Sequence, residues 1–244
     1  MTATVRSVET DILAALATVL DPELDEPVTE LGFVRSVAID DGGVEVHLRL
    51  PTAFCAPNFA YLMVADAYDA LAGVPGAGCV RVLLDDHHDS AKINAGIAAG
   101  LGYVATFGIE AEHSLDDLRR TFQRKAHLAA MERCCRAVLA DGAWTLNDLP
   151  LLELADLPEG RLKSALLRRR EAVGLSTSRH ARVLVDHTGR AVPRSEAALW
   201  LRLAATTRVS IEGNAHFCRG LLATRYADAE PGPAPVVTNS RSQG

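Results

Sequence analysis

Cys55 stands in the run Thr52-Ala53-Phe54-Cys55-Ala56-Pro57, just after an alternating stretch and just before a segment of helical composition. A cysteine at a helix start faces backbone N–H groups without intrahelical partners and the positive end of the helix dipole, which favour thiolate over thiol. Thiolate is the form that binds iron, zinc or an electrophile. The alternative reading is a small apolar residue closing a loop. The other cysteines (Cys79, Cys134, Cys135, Cys218) are irregularly spaced, and no Cys-x-x-Cys pair exists. A zinc ribbon or thioredoxin-type centre therefore has no support. Cys134-Cys135 falls mid-helix, where neighbours do not share a face; this pair, Cys79 and Cys218 read as packing residues. There is no Walker loop, Gly-x-Ser-x-Gly elbow, His-Glu-x-x-His helix or zinc-finger spacing. Arg161, Lys163 and Arg168-Arg169-Arg170 form the densest basic stretch. It reads as a solvated helix face, then as a surface for an acidic partner, and last as a nucleic-acid contact.

The elements that must position Cys55 can be read around it. Val8, Ile12, Leu13, Leu16 and Val19/Leu20 recur at helical spacing, predicting a helix over residues 7–20 that ends at Asp21-Pro22. A short strand from about Val34 to Ile39 meets the hairpin turn Asp40-Asp41-Gly42-Gly43. Val44-Glu45-Val46-His47-Leu48-Arg49-Leu50 alternates strictly, so one face is buried and His47 points outward. Asn58 to Leu71 reads as a helix stopped by Gly73-Val74-Pro75-Gly76, and Cys79 to Leu84 as a third strand. A hairpin followed by a crossover helix makes the third strand parallel to the second. The expected fold is thus a small α/β sandwich in the order α-β-β-α-β, followed by a mainly α-helical region. The expected domains are residues 1–90, a helical client- or partner-binding region 91–228, and a disordered tail 229–244.

Later segments are plainer. Ile93 to Ile109 carries no charge but holds four glycines, and reads as buried packing rather than a membrane span. Its Gly96-x-x-x-Gly100-x-Gly102 pattern has no strand leading into it, so chance is preferred to a dinucleotide loop. Ser114 with Asp117 predicts a capped helix running to about Ala140. Residues 159–173, 195–207 and 213–226 are further helix candidates, and Ala181 to Asp186 a short strand before the His187-Thr188-Gly189 turn.

Of the 244 residues, 48% are hydrophobic and 23% charged, the balance of a globular chain rather than a disordered, collagenous or disulfide-rich one. Residues 1–90 hold 4 basic and 15 acidic side chains, whereas residues 151–244 hold 14 basic and 9 acidic. An acidic front argues against nucleic acid there, and a basic rear suits docking to an acidic protein. The start, with Glu9 and Asp11, lacks the apolar run of a signal peptide. Reduced thiols and a cytoplasmic setting, with no membrane partner, are the expectation.

Asp21-Pro22-Glu23-Leu24, then Leu31-Gly32-Phe33-Val34, the hairpin, and Thr52-x-x-Cys55 before a helix and a strand together resemble the MIP18-type (DUF59) iron–sulfur assembly domain. The resemblance covers about residues 8–86. It implies a non-catalytic factor that builds or delivers iron–sulfur clusters, with Cys55 as the reactive cysteine, Thr52 as the family's threonine, and Asp21, Pro22 and Glu23 as its acidic turn. The chain departs from the family's compact Thr-x-Gly-Cys-Pro by Phe54 and Ala56. It also carries Asp85-Asp86-His87-His88-Asp89 where relatives often have aromatic and proline residues.

Clusters held by protein cysteines usually use four thiolates, which Cys55 alone cannot supply. A dimer bridge, external thiols, a partner's ligands or a mixed site would complete the set. His87, His88, Asp21 and Glu23 are the candidates at hand, imidazole and carboxylate both suiting iron(II); a solvated strand end is the other reading of His87-His88. The implied function is maturation of an iron-dependent client, some relatives suggesting a non-haem iron monooxygenase, with iron or an iron–sulfur cluster bound transiently. The alternatives are a metal-free client-specific chaperone and, further off, an enzyme using Cys55 as nucleophile with His47 or His87 as base.

Overall fold

The strict alternation of residues 44–50 becomes the central strand of a four-stranded sheet. The computed structural model describes residues 7–108, 115–227 and 234–241. Strand β1 (Val34–Ile39) pairs antiparallel with β2 (Gly43–Arg49), and β2 pairs parallel with β3 (Cys79–Asp85), as the crossover argument requires. Val44, Val46 and Leu48 are buried while Glu45, His47 and Arg49 are half exposed. The buried face lies under α1 (Val8–Leu16) and α2 (Pro57–Ala72), whose Ile12, Leu16, Val64 and Leu71 join the same core. Gly43 is needed at the hairpin because a Cβ there would lie 2.0 Å from the Cys79 carbonyl oxygen.

Helix α1 stops earlier than expected. The Thr18 hydroxyl donates to the Ala15 carbonyl at 2.7 Å, and Val19 already accepts from the Val28 N–H at 2.9 Å. A turn-and-bridge arrangement thus takes over the backbone groups that another helical turn would use. Beyond β3, α3 (Ser90–Ala98) and the short α4 (Tyr103–Phe107) occupy the uncharged segment, packed against the N-terminal core through Ile93, Ile97 and Phe107. No helix among the described residues is long and apolar enough to cross a membrane.

The chain divides into two compact units, but not at the expected boundaries of 90 and 228. One joins residues 1–115 with 214–244; the other is 116–213. The tail expected to be disordered supplies β4 (Val236–Asn239), parallel to β1 at the sheet edge. Ser240 N–H donates to the Ile39 carbonyl, and Arg241 Nε to that of Asp40. Two helices expected at 195–207 and 213–226 are one, α7 (Ala197–Arg225). Gly213 is a poor helix former, but the Arg208–Glu212 ion pair at 2.5 Å and the Arg208–Glu132 pair at 2.6 Å hold the turn before it.

The second unit is built on α5 (Asp116–Ala140), α6 (Arg161–Ala172) and the first part of α7. Ser114 lies outside the described residues. Cys134 and Cys135 are core residues, as expected, and burial pushes the Cys134 thiol up to about 11. Cys79, by contrast, is exposed. Residues 181–186 form isolated bridges instead of a strand, because the Asp186 carboxylate folds back onto the Thr188 and Arg190 N–H groups. The basic stretch is not wholly solvated. Arg170 is buried and donates to the Ser176 and Arg182 carbonyls at 2.7 and 3.0 Å.

Candidate functional site

The Cys55 loop fills the gap between the end of β2 and the start of α2, where the N-cap is Ala56 and Pro57 occupies the first turn. The N-cap side chain makes no bond to this helix start; the Phe59 N–H instead meets Asn58 Oδ1 at 2.9 Å and the Ala56 carbonyl at 3.0 Å. The Thr52 hydroxyl lies 3.5 Å from Cys55 Sγ and accepts the Phe54 N–H at 3.2 Å. Cys55 is half-buried against the core, whereas Phe54 is 80% exposed and stands beside the His88 ring, centroids 5.9 Å apart. The phenylalanine that departs from the family pattern thus faces outward.

The β3–α3 turn grips this loop from one side. His87 is buried; its Nδ1 accepts the Asp89 N–H at 3.1 Å, which leaves Nε2 to donate to the Cys55 carbonyl at 2.8 Å. Both ring nitrogens are therefore spent on backbone partners, and the side chain expected to ligate metal braces the loop instead. The His88 N–H donates to the Ala53 carbonyl at 2.9 Å, and its ring is exposed.

The acidic turn is also built by its own side chain. Asp21 Oδ1 accepts the N–H groups of Glu23 and Leu24, each at 2.8 Å. Asp21 is only 7% exposed, and burial raises its carboxyl to about 6 despite those two bonds. Glu23 is half exposed and accepts from Asn214 Nδ2 at 3.2 Å.

Cys218, expected to be a packing residue, does pack against the core, though the sequence did not show that its helix face meets the acidic turn. It lies on the half of α7 that belongs to the N-terminal unit, half-buried against the same core as Cys55. Burial pushes its thiol up to about 11, helped by the negative charges of Asp21, Cys55 and Glu23. The available signal was the i, i+4 row Asn214, Cys218, Leu222, Tyr226, a stripe on one helix face. His47 is engaged elsewhere: Nδ1 meets Asp85 at 2.9 Å and Nε2 meets Glu45 at 3.2 Å. Burial lowers its proton affinity, but the bonds to Asp85 and then Glu45 outweigh that and raise it. Neither His47 nor His87 makes a hydrogen bond to the Cys55 thiol.

Among the described residues, no three histidine, cysteine, aspartate or glutamate side chains converge into a set that could hold a metal ion. The site offers a half-buried thiol with the Thr52 hydroxyl beside it.

Compared with known proteins, residues 9–84 match the family described as iron–sulfur cluster assembly protein. An uncharacterized protein of Methanocaldococcus jannaschii is 32% identical over 85 residues, 34% of this chain and 87% of that protein. The chain belongs to the iron–sulfur cluster assembly protein family. The family domain is also similar to iron–sulfur cluster carrier proteins of Mycobacterium leprae (39% identical) and Mycobacterium tuberculosis (40%), in each case over 82 residues, 33% of this chain. The chain spans about a fifth (21%) of the length of these mycobacterial carriers. No solved structure matches it. The family domain takes in α1, β1, β2, α2 and nearly all of β3, with Asp21, Glu23, Thr52 and Cys55; His87, His88, Cys218 and the second unit lie outside it.

Proposed function

We propose that the chain carries iron or an iron–sulfur cluster for a short time on the Cys55 loop and passes it to an iron-dependent client. The observation that carries this reading is the half-buried Cys55 thiol beside the Thr52 hydroxyl, at a helix start inside the family domain. Cys55 is a cargo ligand, Thr52 orients its thiol, and Asp21 and Glu23 set a negative field that favours a cation. His88, exposed beside Phe54, is the imidazole free to join an incoming cargo, whereas His87 holds the loop. Release is ligand exchange without change of oxidation state: a client thiolate or imidazole takes the iron coordination position that Cys55 gives up. An under-coordinated site favours that direction, because the client supplies more ligands than the carrier. Cytoplasmic assembly machinery or a second copy of the chain would supply the ligands missing before transfer.

The helical unit of residues 116–213 serves in this reading to recruit the client, which we take to be a non-haem iron monooxygenase or a similar enzyme. The basic excess of the C-terminal part suits an acidic docking face on that client. The test is anaerobic reconstitution with iron and sulfide, comparing the native chain with Cys55→Ala. Visible absorption with iron and sulfide bound by the native chain alone is the expected result. Equal loading of both proteins overturns the reading.

A further inference from the structure

The last turns of α7 are bonded at one end to the acidic turn and at the other to Leu50 and Asp86. Asn214 Nδ2 donates to Glu23 in the acidic turn, and Arg219 pairs with Glu26. At the other end Arg225 donates to the carbonyls of Leu50 and Asp86, residues flanking the Cys55 loop and its brace. Tyr226 O–H donates to the Asp86 carboxylate at 3.3 Å, and Arg49 lies 5.0 Å over its ring. Asn214, Cys218, Leu222 and Tyr226 follow one another at i, i+4 and so stack on one helix face. The row is anchored to Glu23 at its start and to Asp86 at its end, with Cys218 between the two anchors. Ala215 and Leu222 are buried in the core against which Cys55 and Cys218 both pack.

We propose that Cys218 is the second protein thiol of the Cys55 site, so that one chain presents a pair of thiolates to iron or to an iron–sulfur cluster. The inference rests on the carrier reading above and deepens it. Two thiolates are half of the set that holds a cluster, enough to retain one and too few to compete with a client that supplies the rest. The pairing is intramolecular, so the second ligand binds at the high effective concentration of a tethered group rather than by chance encounter. Because Cys218 stands outside the residues matched by the family, a chain with only the small domain lacks this ligand.

The test has two arms on the full-length chain. In the first, the reduced apo-protein is treated anaerobically with dibromobimane, a short reagent that bridges two nearby thiols through two thioether bonds, releasing two bromide ions. Peptide mapping is expected to find Cys55 joined to Cys218, and prior loading with iron and sulfide to suppress the product. Absence of that product from the apo-protein overturns the proposal. In the second arm, Cys218→Ala and the volume-conserving Cys218→Ser are loaded beside native protein and Cys55→Ala, folding being checked by circular dichroism. Loss of most of the iron retained through gel filtration, in both Cys218 variants, is expected. If both keep native iron while Cys55→Ala loses it, the Cys218 proposal fails and the carrier reading stands. If Cys55→Ala also keeps native iron, the carrier reading itself fails.

Discussion

The buried imidazole of His87 donates through Nε2 to the backbone carbonyl of Cys55 at 2.8 Å, so the turn after β3 fixes the loop that carries the Cys55 thiol. The Asp89 N–H fixes the tautomer by donating to Nδ1. Truncation to alanine removes both bonds and leaves a part-buried carbonyl and a part-buried N–H short of partners. His87→Ala should therefore lower stability by about 1–3 kcal/mol, read as a lower urea midpoint at unchanged slope. The freed loop should also expose its thiol, so iodoacetamide should modify Cys55 faster than in the native chain at the same pH. An unchanged labelling rate would show that His87 does not hold the loop.

Asp21 makes the opposite kind of contribution. Its carboxyl titrates at about 6 in the folded chain against an ordinary value near 3.8, so between those values the folded state binds more protons than the unfolded one. Stability is then highest below the lower value, falls as pH rises through the upper one, and stays reduced above it. The cost at neutral pH is about 3 kcal/mol at most, because each pH unit separating the folded and unfolded titrations is worth about 1.4 kcal/mol. An asparagine oxygen can still accept the Glu23 and Leu24 N–H groups without carrying charge. Asp21→Asn should be more stable than native protein at pH 7.5 by about 1–3 kcal/mol, with the gap closing toward pH 4. Denaturant titrations at the two pH values check it. If the carboxylate also attracts cargo, the stabilised variant should load less iron.

How much of the molecule is legible in its sequence depends on the range of the interactions. The hairpin, the parallel third strand and the crossover helix follow from local alternation, turn residues and a connection rule, and Val44 to Leu50 states them almost alone. The position of the Cys55 loop was legible for the same reason, since it lies between two elements with clear patterns. Strand β4 was not, because Val236 to Asn239 is a short edge strand whose partner among the described residues is β1, near the other end of the chain. Cys218 does pack against the core, but nothing local to α7 shows that its row meets the acidic turn. His87 and His88 drew attention as ligands by residue type, but donor chemistry cannot tell a free nitrogen from one already bonded to the backbone.

In the helical unit, His127 sits among buried residues of α5 with its Nε2 unpartnered. Burial, then the nearby charges of Arg170 and Arg169, pulls it from 6.5 down to about 4. The unfolded chain therefore takes up this proton at a higher pH than the folded one. The stability that depends on the neutral ring is complete above pH 6.5 and drains away as pH falls toward 4, by about 3 kcal/mol in all. His127→Gln or His127→Leu should flatten that part of the acid limb of the stability profile. Thermal melts from pH 7 to 4 on native and variant chains give the comparison, and identical slopes would exclude His127 as the source.

Gly96 decides how closely α3 and α4 can pack. A Cβ placed there would lie 2.3 Å from the Thr106 hydroxyl oxygen, 2.6 Å from its methyl and 3.0 Å from its Cβ. These are distances at which one helix must move. The glycine of the uncharged segment therefore permits contact between two helices, and its resemblance to a phosphate-binding loop is incidental. Ala at a helical glycine would ordinarily help by up to about 1 kcal/mol, but overpacking costs about 1–3 kcal/mol, so Gly96→Ala should be net destabilising. The double variant Gly96→Ala with Thr106→Ala removes the two worst overlaps and should recover most of the loss. Urea titration of the four members of this cycle measures the coupling. Additive effects of the two changes would mean that the helices do not meet at this point.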